Sequence, residues 1–171
     1  KIERIRRQEA HLREISTHDS LTGLFNRRYF EDALHSLRTS DDAFPACLVM
    51  CDMDGLKAIN DILGHEAGDA ALIELADALR SAFRSCDTVC RLGGDEFAAI
   101  VPRCPEEYPA RLRERIERAI LTANGDEGRT YTLSASLGFA MLLSRDTDPE
   151  RVLAEADAAM YSEKAGKRLK R

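Results

Sequence analysis

Two adjacent glycines, Gly93 and Gly94, separate two short apolar runs in this chain of 171 residues. A two-residue turn with positive φ at both positions is nearly confined to glycine, asparagine and aspartate, so the pair predicts a tight β-hairpin. The flanking runs, 88–92 and 97–101, become its two strands. A further continuous apolar run at 47–51 predicts a buried strand earlier in the chain.

Helical periodicity fills most of the sequence around these strands. The resulting order, βαββαβ with extra helices, is typical of a ferredoxin-like core. This is an α/β sandwich of the α+β kind, with a mostly antiparallel central sheet surrounded by helices. In such a sheet the first and third strands lie side by side, so the hairpin approaches the C-terminal end of the first strand. The remaining elements are helices from Arg27, around Gly64 and Gly68, over 106–121 and from Asp148-Pro149, and a strand over 130–142.

Acidic residues outnumber basic ones by 30 to 25, which gives a net charge of −5. This balance argues against a broad basic groove, so no nucleic-acid partner is expected. A phosphate ligand would need local cations or metal ions. No apolar run approaches the roughly 20 residues that span a bilayer. We expect a cytoplasmic domain cut from a longer protein, whose upstream part could attach it to a membrane.

Five cysteines lie in or beside apolar runs and form no CxxC pair. Thiols of this kind are commonly buried as small hydrophobic groups in a reducing compartment. We therefore predict reduced, core-filling thiols rather than metal ligands or disulfides at Cys47, Cys51, Cys86, Cys90 and Cys104.

Residues 1–17 form a charged segment with a weak apolar stripe. Ile5, Leu12 and Ile15 fall on one seam at heptad-like spacing, with Gln8 at the fourth position. The pattern fits either a solvated helix or the end of a signalling stalk that pairs two chains. We predict a helical stalk here and one domain over 18–171.

Two acidic clusters stand where strands are predicted to end. Asp52 and Asp54 follow the first buried strand, and Asp95 and Glu96 lie in the hairpin. Carboxylates in close contact repel each other and need a cation or a proton between them. Oxygen ligands suit Mg²⁺, which binds through one or two carboxylates plus substrate phosphates. The alternative is a set of solvated turn acids, since aspartate is common in turns.

Four separate stretches resemble one bacterial signalling family, the GGDEF-type diguanylate cyclases, which condense two GTP molecules into cyclic di-GMP. The first is the string Gly-Gly-Asp-Glu-Phe itself at 93–97. The others are similar to the family's entry motif, its nucleotide motif and its closing helix. They lie at 18–28, at 52–61 with Gly64-His65 and Gly68-Asp69, and at 157–161.

The resemblance implies a two-metal site for Mg²⁺, which Mn²⁺ can replace. Asp52 and Asp95 match the family's metal ligands, together with the backbone carbonyl of Met53. Glu96 matches the second acid of the signature and is expected to support the metals. Asp95 is also the candidate general base for the 3′-hydroxyl that attacks in this reaction.

Other matched positions concern the nucleotide. Asn60 and Asp69 match residues that read guanine, His65 lies beside them, and Gly93 and Gly94 would let the backbone approach the substrate. Lys57, Lys164 and Arg168 match phosphate-contacting positions. In the family a glycine lies three residues after the lysine of the last helix. Here Gly166 follows Lys164 by two residues, and the intervening Lys167 is a substitute candidate for phosphate binding.

A regulatory site is also implied by the resemblance. Arg84 and Asp87 form an RxxD motif, separated from Gly93 by five residues, where the family binds cyclic di-GMP as an inhibitor. Arg115 is a further candidate for this site, from the same or a partner chain. The alternative is an ordinary surface salt bridge.

The predicted function is therefore a diguanylate cyclase that works as a homodimer, because each domain holds one GTP, under an upstream sensor domain. A catalytically silent receptor for GTP or cyclic di-GMP, a pure dimerisation module and a cyclase making AMP–GMP hybrids are the alternatives. The retained acids disfavour a silent receptor, and the guanine-reading pair disfavours a pure dimerisation module. Asp69 disfavours a cyclase that makes AMP–GMP hybrids.

Overall fold

The structure, a computed structural model, describes residues 2–3, 5, 16–125 and 128–169. Most of the predicted stalk lies outside these residues, so the stalk and the boundary at residue 18 stay predictions. In the described part, helices are α1 Arg27–Ser36, α2 Leu56–Leu63, α3 His65–Ala82, α4 Tyr108–Ala123 and α5 Pro149–Arg168, and strands are β1 Ala46–Met53, β2 Thr88–Gly93, β3 Glu96–Val101 and β4 Ala135–Leu142.

The four strands form one sheet in the order β2-β3-β1-β4, and each neighbouring pair is antiparallel. This confirms the predicted α+β fold and the central place of β1 beside β3. The β2–β3 hairpin reaches the end of β1, as expected. Asp52 faces Glu96 across the register, and the Met53 N–H donates to the Asp95 carbonyl at 2.9 Å.

The strand predicted over 130–142 was wrong in its first part, because β4 begins only at Ala135. Just before it, the Asn124 side chain occupies both backbone groups of Leu133. It accepts from the Leu133 N–H at 2.7 Å and donates to its carbonyl at 2.8 Å. A backbone bound in this way has no groups left for a neighbouring strand.

All eight residues of β1 are buried, so the strand contributes to a core on both faces of the sheet. Successive side chains alternate between the faces. Val49 and Cys51 pack in the cluster that contains α3 and α4, whereas Leu48 and Met50 pack in the cluster that contains α1 and α5. Asp52 continues this second series, which directs its carboxylate towards α5.

The cysteine prediction holds for four of the five thiols. Cys47, Cys51, Cys90 and Cys104 are buried and free, and burial raises the pKa of Cys90 to about 12. Cys86 is also free but exposed, so the prediction that it fills the core was wrong. It lies in the short turn between α3 and β2, where the chain runs along the surface. None of the helices formed by the described residues is long and apolar enough to cross a bilayer.

Gly138 lets α5 pack directly against β4. A Cβ at this position would overlap the Ala156 carbonyl oxygen and lie 2.5 Å from the Met160 nitrogen, and both of these are backbone atoms. Since helix backbone cannot shift easily in a packed core, the site tolerates no side chain.

Gly138→Ala is therefore expected to lower the free energy of unfolding by about 3 kcal/mol. Gly166→Ala is the matched control, because it lies in α5 with nothing within 4 Å of the new Cβ. It should raise stability by about 0.5–1 kcal/mol, the usual gain of alanine over glycine in a helix. Urea unfolding of both variants measures the difference, and equal effects would contradict this packing.

Candidate functional site

The two predicted acidic clusters meet at one end of the sheet. Asp52 ends β1 with its side chain 8% exposed, and Asp95 lies in the turn of the neighbouring hairpin. Lys164 of α5 lies between them, with its Nζ bound to Asp52 and 3.9 Å from Asp95 Oδ2. Residues far apart in sequence thus place two carboxylates around one cation.

Burial and neighbouring charges both act on the pKa of Asp52. Burial raises the pKa of Asp52, the charges of Asp95 and Glu96 raise it further, and the ammonium of Lys164 partly opposes them. The net pKa lies above its ordinary value. A further cation here would therefore stabilise the ionised carboxylates.

The donor set fits a hard divalent cation such as Mg²⁺. Two carboxylates converge here, and the lysine ammonium already takes the position of a shared positive charge. Over the described residues, no three His, Cys, Asp or Glu side chains are close enough to hold a metal ion by themselves. A metal would therefore complete its shell with the Met53 carbonyl, water or substrate oxygens, as Mg²⁺ commonly does.

Glu96 lies beside this pair, with its carboxylate turned towards α1. Its Oε2 is 4.0 Å from Arg27 Nη2, and its side chain is 43% exposed. The structure therefore brings Glu96 close enough to act on Asp52 electrostatically, while its ion-pair partner is Arg27.

The nucleotide-motif residues lie on α2 and α3, which begin directly after the acidic strand end. Gly68 is inside α3 rather than at a break, and the Asn60 side chain of α2 lies against it. A Cβ at Gly68 would lie 2.8 Å from Asn60 Cγ, so glycine lets the Asn60 side chain pack against α3 one residue before Asp69 in the chain. His65 and Asp69 are exposed and accessible to a ligand.

Lys57 lies in the first turn of α2. Its side chain is 93% exposed, and its Nζ is 3.4 Å from Asp61 Oδ2. Its described ion-pair partner is thus a residue of its own helix. Arg168, at the end of α5, is likewise exposed.

The N-terminus of α2 is a feature that the sequence analysis missed. Its N-cap, Gly55, has φ 75° and supplies no side-chain hydrogen bond to the helix amides. Backbone amides at the start of a helix attract anions when no side chain caps them. The first amides of α2 belong to the segment that directly follows Asp52 and Asp54. The available signal was a glycine directly after the acidic pair and before a helical pattern.

Gly93 and Gly94 both have positive φ, 136° and 54°. The predicted hairpin is confirmed, with its turn one residue later than the glycine pair, at Gly94 and Asp95, because Gly93 still pairs with Glu96 at the end of β2. Arg91, also missed from sequence, supports this turn. Its guanidinium donates to the Gly94 carbonyl at 2.8 Å and pairs with Asp19 of the entry motif at 3.2 Å. The entry motif thereby holds the hairpin that carries Asp95.

The RxxD pair forms the salt bridge expected from its spacing. The Asp87 side chain is fully buried, and Arg84 Nη2 donates to it at 3.0 Å and to the Pro102 carbonyl at 2.9 Å. Tyr108, missed from sequence, connects this pair to Arg115. The Arg84 guanidinium lies 4.7 Å from the ring centre, and Arg115 donates to the hydroxyl at 3.2 Å.

Two clefts accompany these features. One of about 380 Å³ borders Arg84 and is also lined by His18, Phe25 and Arg80. A larger cleft of about 620 Å³ lies between α1 and the β2–β3 edge, and none of the predicted site residues line it.

An antiparallel α+β sandwich with paired carboxylates at the end of its central strand, next to a glycine hairpin and an uncapped helix start, is the arrangement of a nucleotide-handling signalling domain. Residues 16–170 match the family described as diguanylate cyclase, GGDEF domain. The chain belongs to this GGDEF family.

Curated relatives agree with this assignment. The chain is 39% identical over 163 residues to the probable diguanylate cyclase DgcE of Escherichia coli, covering 92% of this chain and 15% of DgcE. It is 36% identical over 165 residues to the response regulator PleD of Caulobacter vibrioides, covering 92% of this chain and 36% of PleD. The chain thus spans only a minor part of these relatives.

A solved structure covers a comparable length. The coiled coil and GGDEF domain of DgcB from Caulobacter crescentus, solved in complex with c-di-GMP, superposes with a TM-score of 0.86 at 29% identity. The match covers 96% of this chain and 89% of DgcB. The fold predicted from sequence is therefore that of solved GGDEF domains.

Proposed function

We propose that this chain is a diguanylate cyclase domain that condenses two GTP molecules into cyclic di-GMP. In each of two steps, a 3′-hydroxyl attacks the α-phosphorus of a GTP, a new P–O bond forms, and pyrophosphate leaves with its bridging oxygen. One observation carries the proposal: the carboxylates of Asp52 and Asp95 converge around the ammonium of Lys164 at the start of the nucleotide motif.

The acidic pair would hold Mg²⁺ together with the Met53 carbonyl. When bound, the metal supplies charge neutralisation for the triphosphate and makes the attacking hydroxyl easier to deprotonate. Asp95 is the candidate acceptor for that proton. Glu96, the next residue, adds a further negative charge that favours the metal. Lys164, which lies beside both carboxylates, would offer its ammonium to the phosphates.

Guanine would be read between α2 and α3. The Asp69 carboxylate accepts from N1–H and the amino group of guanine, and the Asn60 amide donates to its acceptor edge. His65 lies at the start of α3 beside them. Adenine offers no donors at these positions and would leave Asp69 unpaired, which gives a physical reason for GTP as substrate.

Two domains are needed, because each has one such site and the product joins two nucleotides symmetrically. We therefore propose a homodimer with its sites facing each other, placed by the helical stalk predicted over 1–17 under an upstream sensor domain. The test is to incubate the purified chain, shown to be dimeric, with GTP and Mg²⁺ and to measure cyclic di-GMP and pyrophosphate. GTP binding without product from a verified dimer would overturn the proposal in favour of a silent receptor.

Product inhibition is the second part of the proposal. The cleft beside Arg84 and the guanidinium of Arg115 offer cations for the phosphates of cyclic di-GMP. Arg84 is held in place by Asp87 and Tyr108, so it presents a fixed surface to the product.

Arg84→Ala is expected to leave the initial rate similar while abolishing inhibition by added cyclic di-GMP. It should also cost about 3 kcal/mol of stability, since the fully buried Asp87 loses its guanidinium partner. Rates at increasing product concentration, measured well below the unfolding temperature, test this. Arg118→Ala, at an exposed position of α4, is the control. Unchanged inhibition in Arg84→Ala would contradict the assignment.

A further inference from the structure

Lys167, on the last turn of α5, has three oxygen atoms of this chain close to its ammonium. Its Nζ lies 3.1 Å from Asp54 Oδ2 and 3.3 Å from Glu163 Oε1, and it donates to the Ala135 carbonyl. The contacts with Asp54 and Ala135 are hydrogen bonds, and the contact with Glu163 is an ion pair. The ammonium of Lys167 is therefore held by partners within this chain, with its side chain 40% exposed.

Asp54 is equally occupied. Ser134 Oγ donates to one of its carboxylate oxygens and Ser136 Oγ to the other, each at 2.7 Å, and its side chain is 10% exposed. Lys167 donates to the same carboxylate at 3.1 Å, so Asp54 joins the end of β1 to β4 and α5.

We propose that the Lys167 latch, formed by Lys167, Asp54 and Glu163, positions Lys164 at the acidic site. Lys164 and Lys167 are three residues apart on α5 and so share a helix face. Asp52 and Asp54 are two residues apart in the strand and its extension, and so share a sheet face. The two lysines meet the two aspartates in order, Lys164 with Asp52 and Lys167 with Asp54.

Lys167 is thus a positioning residue that acts through Lys164. The family pattern has glycine at this position, which carries no side chain to make such contacts, so the latch is a feature of this chain. The catalytic consequence rests on the proposed function, in which Lys164 serves the phosphates. The latch itself is a property of the protein without ligand.

The test is Lys167→Met, which keeps the aliphatic length and removes the charge. Without nucleotide, hydrogen exchange should become faster in 163–168 and 53–55. In the GTP assay, kcat should fall by about 10-fold with KM changed by less than about threefold. The reason is that displacement of the Lys164 ammonium removes an interaction that stabilises mainly the transition state. Lys167→Arg should restore most of the rate. Arg151→Met, which removes an exposed cation of the same helix, is the control.

Other outcomes would overturn the inference. A higher KM with unchanged kcat, and exchange that changes only when GTP is present, would make Lys167 a phosphate ligand. A kcat within about twofold of the original chain would exclude positioning of Lys164 whatever the exchange shows. A chain that makes no product contradicts the proposed function instead. The latch is then tested by the free energies of unfolding of Lys167→Met, Asp54→Asn and the double variant. If the loss of stability in the double variant equals the sum of the two single losses, the two residues do not interact and the latch is excluded.

Discussion

Asp95→Ala is expected to abolish cyclic di-GMP formation, lowering the rate by about 1,000-fold or more, because it removes half of the carboxylate pair that holds the metal and phosphate charge. The fold should remain intact. The link between the hairpin and β1 runs through the Asp95 carbonyl and the Met53 N–H, which the substitution keeps. Removal of one acid also relieves the repulsion that raises the pKa of Asp52.

The measurement compares product formation and urea unfolding of the original chain and the variant. Asp146→Ala is the matched control, since Asp146 is an exposed acid in the segment between β4 and α5. It changes the net charge equally and should leave the rate within about twofold. Turnover by a folded Asp95→Ala protein at more than about a tenth of the original rate would contradict the assignment of Asp95.

Asp69→Ala is expected to lower kcat/KM for GTP by about 100-fold and to reduce the preference for GTP over ATP. The carboxylate is the group that accepts from guanine donors, and a site that loses a specific acceptor loses discrimination along with affinity. Stability should be kept or slightly raised, because Asp69 is exposed in a helix, where alanine is the better helix former.

Competition between GTP and ATP, with both products quantified, gives the specificity ratio directly. Asp77→Ala is the control on the same helix, since Asp77 is exposed and pairs only with nearby Arg80 among the contacts described. A surface pair of this kind contributes little, so neither rate nor ratio should move. An unchanged GTP to ATP ratio in Asp69→Ala would show that Asp69 does not read guanine.

The central features of the fold could be predicted from local patterns. Gly93 and Gly94 predict a tight hairpin because few other residues adopt positive φ, and the structure has φ 136° and 54° there, with the turn at Gly94 and Asp95. The apolar run at 47–51 became the central strand β1, buried along its whole length. The strand predicted from residue 130 failed because a single side chain, Asn124, binds the Leu133 backbone from nine residues away.

The acidic residues of the site could be named from sequence, whereas their partners could not. Asp52 and Asp95 stand at the end of a strand and in a turn, and both positions follow from short-range patterns. The partner of Asp52 is Lys164, 112 residues away, and the partners of Asp54 include Ser134 and Lys167, 80 and 113 residues away. No local periodicity encodes such pairs.

Lys167 and Asp87 show most clearly what tertiary structure adds. From the sequence, Lys167 was a candidate phosphate ligand and Asp87 was part of a candidate inhibitory site. In the folded chain Lys167 pairs with Asp54 and Glu163, and the buried Asp87 pairs with Arg84.

The sequence alone predicted β1, the hairpin and the acids beside them, because a continuous apolar run and a glycine pair are patterns within a few residues. It did not predict where β4 begins or that Cys86 is exposed. Only the tertiary structure decided which charges are available to a ligand. Long charged side chains reach several ångströms, and their partners are set by the packing of α5 on β4, which no short stretch of sequence contains.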